Sequence, residues 1–442
     1  MKRDFNLYLL ILLTIFFSCN RNSEDPASNN PLIITLDKNI IPLDQNPLDW
    51  KDDRLGFLDF YSEANIIGLG EATHGSKEFF DAKYRIFKYL VENHGFQVFA
   101  FEADFGESLF LNEAIQAGKV SEIKDIMISK MHFWTWRTAE VQELLEWMAE
   151  YNQGKNDDKK IHYMGIDCQF NTYHPALILD YISQTSQSLY DFSKDILDEV
   201  EAASNDRYAN LSQTQYEELL TEVEILIDTI ASHEQELVSG SSYNEFMLNQ
   251  QMLNVMKQSL IVGYKSSIGD RSINYRDEFM AENAIWLIDY FKTNKIAIWA
   301  HNYHVSNTGS YDGGSMGFHL KDSLNSDYKI LGFSFSGGSF TAVGMTGNSY
   351  TGLRTHTISV DPKEGSLNEI FSKSKNKVFG VSINNLVSDP SWNNLFDSYV
   401  LLLGIGAVFG GDPENYYSPI NGVCYDFLIY FDTTQPTTIL RK

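Results

Sequence analysis

The pattern of apolar residues constrains the fold most, because short strand-like runs alternate with long segments of helical periodicity. Strands are predicted at Asn65–Leu69, Gln97–Phe101, Ile161–Ile166, Lys295–Ala300 and Lys329–Phe333, and less strongly at Val378–Ile383 and Asp426–Phe431. This alternation is typical of proteins in which helices cover both faces of a mostly parallel sheet. The sequence therefore predicts a three-layer α/β fold.

The segment between the first two strands is predicted to be a helix. Apolar side chains recur there at helical spacing from Phe79 to Val91, with Ser76 as a candidate N-cap and Gly95 as the stop. A second helix is predicted at about Ala139–Tyr151.

Residues 175–292 differ from the rest, because strand signals are few and helical patterns are long. Examples are Gln215–Ser232, Glu245–Tyr264 and Ile273–Phe291. We predict a helical insertion or subdomain beside the sheet, within an α/β domain that spans 33–442.

The N-terminal segment is predicted to be an export signal. Lys2 and Arg3 precede Leu7–Phe17, which is apolar except for Thr14 and too short to span a bilayer permanently. Residues 1–18 therefore have the features of a secretory signal peptide.

Cys19 is predicted to carry a lipid anchor. A small residue directly before this cysteine resembles a bacterial lipoprotein processing site, and residues 19–32 have the polarity of a tether. The alternative is an ordinary signal peptide that is cleaved nearby. The lipoprotein interpretation predicts an exported protein, anchored to a membrane and facing the periplasm or the outer surface.

Charge and composition limit the partners. The formal net charge is −25, which makes nucleic acid an improbable partner because phosphate binding needs a basic face. A hydrophobic fraction of 43% is enough for a substantial core. The two remaining cysteines, Cys168 and Cys424, could pair in an exported protein, but they form no zinc-type cluster.

Ionisable residues follow each of the first four predicted strands. Ligands of open parallel sheets bind beyond the carboxyl ends of the strands, so these residues are expected to meet at one edge. The residues concerned are Glu71, His74, Glu102, Asp167, His301 and His304.

Each of these residues also has a purely structural interpretation. Glu71 could lie at a helix N-terminus, Glu102 and Asp167 could tie loops through backbone N–H groups, and His304 could support His301. Their convergence is harder to explain structurally, because carboxylates and imidazoles at a sheet edge are costly unless they are paired or used. We therefore favour a functional role for His74 and His301.

Motifs around these positions resemble those of one known enzyme family. They are Gly70-Glu71-Ala72-Thr73-His74-Gly75, Phe101-Glu102, Trp134-Thr135-Trp136, Gly165-Ile166-Asp167, Arg276, Trp299-Ala300-His301-Asn302-Tyr303-His304-Val305 and Ser315-Met316-Gly317. In this order they resemble the erythromycin esterase family, over about residues 66–335. The resemblance is loose at about 180–265.

The resemblance implies a hydrolase that opens an ester or lactone, including macrolides, with an activated water and without a metal or other cofactor. It implies that His74 is the general base, that Glu71 and Glu102 orient it or the water, and that His301, with His304, polarises the carbonyl or protonates the leaving alkoxide. This assignment is chemically reasonable, because an imidazole with a near-neutral pKa can accept a proton from water.

Further residues are candidates for contacting the substrate. The resemblance places a basic residue at position 83, where Lys83 keeps the charge of an arginine but lacks its planar pair of donors. Arg276 is a second candidate for stabilising the oxyanion, and Asp167 lies at the same edge. Candidates to line the pocket are Trp134, Trp136, Tyr303 and Ser315, although core packing explains the tryptophans equally well.

Two other catalytic interpretations remain open. Residues 313–317 match G-x-S-x-G, but that motif needs a strand before the serine, and Ser315 follows a polar loop. We expect Ser315 to cap the next helix instead. His74, His301, Glu71 and Glu102 could also form a metal site, although no local ligand pair supports one. Beyond catalysis, the chain could be a non-catalytic ligand-binding lipoprotein on the same scaffold.

Overall fold

The fold is described from a computed structural model that covers residues 30–270, 274–293, 295–309 and 313–441. The predicted signal peptide, the lipidation site Cys19 and most of the tether lie outside the described residues. None of the helices in the described ranges is long and apolar enough to cross a membrane.

The described residues form one large sheet and one small one. The strands are β1 (Ile40–Pro42), β2 (Ile66–Leu69), β3 (Val98–Asp104), β4 (His162–Asp167), β5 (Ile296–Trp299), β6 (Tyr328–Thr346), β7 (Ser349–Ile358), β8 (Val378–Ser382), β9 (Val400–Leu403), β10 (Val408–Phe409), β11 (Tyr417–Ile420) and β12 (Phe427–Thr434). The large sheet has the order β1-β8-β12-β6-β2-β5-β3-β4, with β7 and β10 also paired to β6, whereas β9 and β11 pair with each other.

Most neighbours in the large sheet run parallel. The pairs β12–β6, β6–β2, β2–β5, β5–β3 and β3–β4 are all parallel. Only β1–β8, β8–β12 and the β6–β7 hairpin are antiparallel. The central strands therefore direct their carboxyl ends to one edge, as the sequence predicts.

Helices surround the sheet. They are α1 (Pro31–Asn39), α2 (Asp52–Leu55), α3 (Leu58–Tyr61), α4 (Lys77–His94), α5 (Phe105–Gln116), α6 (Ile123–Lys130), α7 (Ala139–Asn152), α8 (His174–Thr185), α9 (Gln187–Ser204), α10 (Gln213–Ser232), α11 (Glu234–Gly240), α12 (Tyr243–Ser267), α13 (Tyr275–Phe291), α14 (Asn302–Val305), α15 (Met316–Leu324), α16 (Leu367–Ser372), α17 (Ile383–Val387) and α18 (Pro390–Asp397). Gly95 ends α4 in the left-handed conformation, with φ of 72°.

Two hydrophobic cores lie on opposite faces of the sheet. Side chains alternate between faces along a strand, so Ile66 joins one core and Ile67 the other. Ile298 and Trp299 on β5 divide in the same way. The predicted three-layer α/β architecture is confirmed.

The helices between β4 and β5 belong to the first of these cores. Leu226 on α10, Met256 on α12 and Met280 on α13 are fully buried in the same cluster as the strand residue Ile298. The helical region thus shares its core with the sheet, and α13 leads into β5.

The second half of β6 and all of β7 were not predicted from the sequence. Strand β7 is almost entirely exposed, so it lacks the apolar alternation that marks a strand in a core. It forms because a two-residue turn at Gly347 folds it back on β6, where backbone hydrogen bonds define the pairing. Strands β9, β10 and β11 were also missed, and they prove important for the site.

The two cysteines within the described residues are unpaired. Cys168 and Cys424 are both buried free thiols, and burial raises the pKa of each. The possible disulfide between them is therefore wrong, and the alternative that both are structural side chains fits the burial.

A substitution at Gly75 would test how closely the loop after β2 approaches β6. A Cβ atom at this position would lie 1.9 Å from the Thr341 backbone oxygen. We expect Gly75→Ala to lower the free energy of unfolding by at least about 2 kcal/mol, because the contact is with backbone rather than a flexible side chain. Urea denaturation measures the change.

Gly56→Ala is the matched control. The nearest atoms to its added methyl group lie 3.9 Å or more away, and its φ of −56° suits alanine. Its effect should stay within about 0.5 kcal/mol. Equal losses in the two variants would contradict the close approach at Gly75.

Candidate active site

Glu71 is a fully buried carboxylate at the sheet edge. It follows β2 and is completely inaccessible to solvent. One oxygen, Oε1, lies 2.6 Å from Nδ1 of His74. The other accepts hydrogen bonds from Nζ of Lys83 at 2.5 Å and from Nε1 of Trp299 at 2.7 Å. Three elements thus hold one carboxylate.

The charges around Glu71 compensate its burial. Burial opposes ionisation, but Lys83 and His74 outweigh it and lower the pKa of Glu71. Burial also lowers the pKa of Lys83 to about 8, against the opposing effect of Glu71. The predicted role of Lys83 at the oxyanion is wrong, because its fully buried ammonium group lies behind Glu71 and over the Trp299 ring, 4.4 Å from the centroid.

His74 is oriented by contacts at both its backbone and its ring. Thr135 Oγ1 donates to the His74 carbonyl at 2.9 Å, and the ring Nδ1 faces Glu71. Because a carboxylate accepts hydrogen bonds, Nδ1 carries the proton and Nε2 has the lone pair. No described protein group hydrogen bonds to that Nε2, so it is available as a base.

The two ring nitrogens of His301 have the opposite roles from those of His74. It caps α14, and its Nδ1 accepts the backbone N–H of Tyr303 at 3.2 Å. Burial lowers the pKa of His301 to about 3, with smaller effects from His74 and His304, so the ring is neutral. A neutral ring that accepts at Nδ1 must carry its proton on Nε2. That buried Nε2 has no protein partner, and the ring centroid lies 5.2 Å from that of His74.

Arg276 joins two carboxylates near the carboxyl ends of β3 and β4, since Glu102 lies within β3 and Asp167 is the last residue of β4. Its Nη2 donates to Glu102 at 2.7 Å and to Asp167 at 2.8 Å, and its Nε donates to Asp167 at 2.9 Å. Glu102 also accepts the backbone N–H of His301 at 2.9 Å. Burial raises the pKa of Glu102, but His304 and Arg276 dominate and hold it well below its usual range. Most donors of Arg276 therefore face protein, which corrects its predicted role at the oxyanion.

His304 is held between two carboxylates. Its Nδ1 lies 2.9 Å from both oxygens of Asp277, and its Nε2 lies 3.2 Å from Oε1 of Glu102. Burial disfavours the charged ring, but Asp277 and Glu102 raise the pKa of His304 to about 10. The Nδ1 N–H donates to Asp277, whereas Nε2 lies 3.2 Å from both Nη1 of Arg276 and Oε1 of Glu102, so His304 is placed to position Glu102 and Arg276.

A polar cavity of about 240 Å³ opens beside His74. Trp134 and Trp136, which were predicted to line the pocket, both line this cavity. Trp136 is only 1% exposed, and its indole N–H donates to the Glu102 carbonyl. The full lining is His74, Glu102, Phe133, Trp134, Thr135, Trp136, Gln169, Arg276, His304 and Ala407.

Two further predicted residues lie apart from this cavity. Tyr303 is 38% exposed and lines a different cavity, next to His301. Ser315 is fully buried, and its hydroxyl caps α15 by accepting the Phe318 N–H at 3.2 Å. The cap is confirmed, whereas the prediction that Ser315 contacts substrate is wrong because the side chain is fully buried and its hydroxyl donates to the Ser306 carbonyl at 2.5 Å.

The structure adds residues that the sequence did not suggest. Asp277 follows Arg276 on α13 and accepts a hydrogen bond from Nδ1 of His304. Its position next to Arg276 was the only sequence signal that could have indicated this role. Gly404 and Gly406 follow β9 and cover the histidine pair, since a Cβ atom there would lie 3.7 Å from His301 and 3.9 Å from His74. No local motif marks this segment, because it reaches the site through tertiary packing.

The carboxylate oxygens that a metal ion would need as ligands already have protein hydrogen-bond partners. Both oxygens of Glu71 and of Glu102 accept hydrogen bonds from protein groups. Among the residues that the structure describes, no group of three or more His, Cys, Asp or Glu side chains is placed to hold a metal ion. The alternative of a metal site made by His74, His301, Glu71 and Glu102 therefore has no support in the geometry of the described residues.

Comparison with known proteins identifies the family. The erythromycin esterase family model matches residues 91–434, which is more than half of the chain. The chain belongs to the erythromycin esterase family. The Glu71–His74 motif lies before the matched residues.

The proteins to which this chain is similar include some that are named as hydrolases. It is 28% identical to the putative hydrolase YbfO of Bacillus subtilis strain 168, covering 75% of this chain and 78% of that protein. It is 25% identical to erythromycin esterase type II of Escherichia coli, covering 87% and 97%. These relationships support hydrolase activity.

Solved structures share the fold of the family member. A Bacillus cereus protein of 23% identity has a TM-score of 0.80, covering 93% of this chain and 98% of that one. A mutant of the erythromycin esterase EreC in its open conformation has 17% identity and a TM-score of 0.67, covering 90% and 97%.

Removing the ammonium group behind Glu71 tests the buried network. We expect Lys83→Met to lower the free energy of unfolding by about 3–5 kcal/mol, because the carboxylate loses its full countercharge. The control Lys88→Met removes a half-exposed lysine on the same helix, whose nearest carboxylate is 4.0 Å away, and should cost no more than about 0.5 kcal/mol. Urea denaturation at neutral pH measures both, and equal losses would contradict the network.

The raised pKa of His304 predicts a pH-dependent stability. Its stabilisation should be complete below the ordinary pKa of 6.5 and should disappear as pH rises through about 10, because folding favours the protonated ring. The stability difference between wild type and His304→Gln should therefore be larger at pH 6 than at pH 9.5. Denaturation at both pH values, with His233→Gln as control, measures it; a difference that grows with pH would exclude a charged His304.

Proposed function

We propose that this protein hydrolyses a carboxylic ester or lactone with a water activated by His74. The observation that supports this is the complementary pair of histidines. His74 offers a lone pair at Nε2, and His301 offers an unpartnered N–H at Nε2, with ring centroids 5.2 Å apart. A base and a neutral hydrogen-bond donor beside one another are what water attack on a carbonyl requires.

The reaction balances with these two groups. His74 Nε2 takes a proton from water as the water oxygen attacks the carbonyl carbon, and the carbonyl oxygen becomes an oxyanion. The His301 Nε2–H donates to that oxyanion. When the intermediate collapses, the bond to the alkoxide breaks and the imidazolium of His74 gives the alkoxide its proton. The products are a carboxylic acid and an alcohol, and His74 is neutral again.

The surrounding charges act through these histidines. Glu71 fixes the His74 tautomer and stabilises its charged form, as a carboxylate does for the histidine of a catalytic triad. Lys83 and Trp299 hold Glu71 in place. Glu102 fixes His301 through the backbone N–H. Arg276, Asp167 and His304 keep Glu102 ionised and oriented, so they are positioning residues in this mechanism.

Replacing each histidine tests the division of roles. We expect His74→Ala to lower kcat about 10²–10⁴-fold through loss of the base. His301→Ala should lower it about 10²–10³-fold through loss of the oxyanion donor. Hydrolysis of aryl esters and macrolactones measures both, with His233→Ala as a control outside the site.

The outcomes separate the alternatives. A wild-type protein that binds these compounds but turns none over would support a non-catalytic binding protein and overturn the proposal. Loss of turnover on prolonged chelation, restored by one divalent ion, would instead establish a metal-dependent hydrolase. A macrolide substrate, suggested by the names of the relatives, would show as the gain of one water by mass spectrometry.

We also propose that the protein is exported and anchored through acyl chains on Cys19. The support is the charged and apolar leader followed by Ser18-Cys19 and a polar tether. Radioactive fatty acid should label the wild type and not Cys19→Ala. Equal absence of label in both would support the ordinary signal peptide.

A further inference from the structure

A second cavity lies on the His301 side of the histidine pair. Its volume is about 280 Å³, and unlike the cavity beside His74 it has no charged side chain among the described residues that line it. Its walls are largely apolar and come from the small sheet and the segment after α14, including Leu402, Leu403, Pro419, Ile420 and Tyr425.

The two cavities meet the two histidines separately. His74 lines the polar cavity, and His301 lines the apolar one. The segment after β9 borders both, because Gly404 lines the apolar cavity and Ala407 the polar cavity. An ester that contacts both histidines would therefore direct its two substituents to chemically different surroundings.

The direction of the ester follows from the proton transfers, and this step rests on the proposed function. The imidazolium of His74 must protonate the leaving alkoxide, so the alcohol half lies on the His74 side, in the polar cavity. The acyl half then extends past His301 into the apolar cavity. An apolar wall favours a hydrocarbon chain, because burial removes its surface from water.

The polar cavity suits an alcohol with several hydroxyl groups. Its wall carries the Glu102 carboxylate, the Arg276 guanidinium and the Gln169 amide. Hydroxyl groups both donate and accept, so they can pair with all three. We propose that the substrate is a medium-chain acyl ester of a hydroxyl-rich alcohol such as a sugar, with its acyl chain in the apolar cavity.

Ser418→Trp tests the acyl subsite. Ser418 is exposed at the edge of the apolar cavity, so a large side chain there can fill the cavity without disturbing the core. We expect the ratio of kcat/KM for p-nitrophenyl octanoate to kcat/KM for the acetate to fall at least about tenfold, because only the octanoyl chain would extend into the filled cavity. The control Val423→Trp alters an exposed position outside the lining and should leave that ratio unchanged. An equal loss on both esters, or no loss, would overturn the proposal.

A binding measurement separates this inference from the proposed catalysis. Octanamide, which carries the chain without a cleavable ester, should bind His74→Ala protein in calorimetry and bind at least about tenfold more weakly when Ser418→Trp is added. Absence of binding while esters are hydrolysed would reject the acyl subsite alone. Binding without any hydrolysis would reject the proposed function and leave an apolar ligand site.

The alcohol side has its own test. Wild type should hydrolyse an octanoyl ester of glucose with at least about tenfold higher kcat/KM than methyl octanoate, because only the sugar can pair with the polar wall. Gln169→Leu should reduce that preference, measured as the ratio of the two kcat/KM values. Equal rates on the two esters in wild type would overturn the hydroxyl-rich alcohol.

Discussion

The site depends on one fully buried carboxylate that must remain charged. Glu71 can do so because Lys83 from α4, Trp299 from β5 and His74 from its own loop all donate to it. A buried charge without such partners would cost several kcal/mol. The same contacts tie the loop after β2 to a helix on one face of the sheet and to the neighbouring strand. Stability and orientation of the base therefore have a common origin.

The second half of the site is organised around another saturated carboxylate. Glu102 accepts hydrogen bonds from Arg276 and from the backbone N–H of His301, and it lies 3.2 Å from Nε2 of His304. Arg276 also donates to Asp167. Positive and negative groups thus alternate from β3 to α13 and α14. Only the two Nε2 atoms of His74 and His301 are left without protein partners among these groups. In the proposed mechanism, these two atoms are the ones that act on water and on the carbonyl oxygen.

Much of the architecture could be predicted because its signals are local. The central strands are apolar on both faces, as burial between two helical layers requires, and the residues at their ends meet because parallel strands share one edge. The convergence of Glu71, Glu102, Asp167 and His301 follows from that topology.

Other features depend on tertiary contacts and could not be predicted in this way. The burial of Lys83 depends on helix α4 directing it behind Glu71, which composition does not reveal. Gly404 and Gly406 reach the histidines from a strand pair with weak patterning. Strand β7 is exposed on nearly every residue, so backbone pairing with β6 defines it rather than hydrophobic periodicity.

The contact that orients His301 has an evolutionary consequence. Its Nδ1 is held by the main-chain N–H of residue 303, not by the tyrosine side chain. Every amino acid except proline supplies that group. Position 303 can therefore vary in drifting lineages, and reshape the entrance of the apolar cavity, while the neighbouring imidazole keeps the same proton on the same nitrogen. The lining of the cavity and the tautomer of His301 thus depend on different atoms of residue 303, its side chain and its main chain.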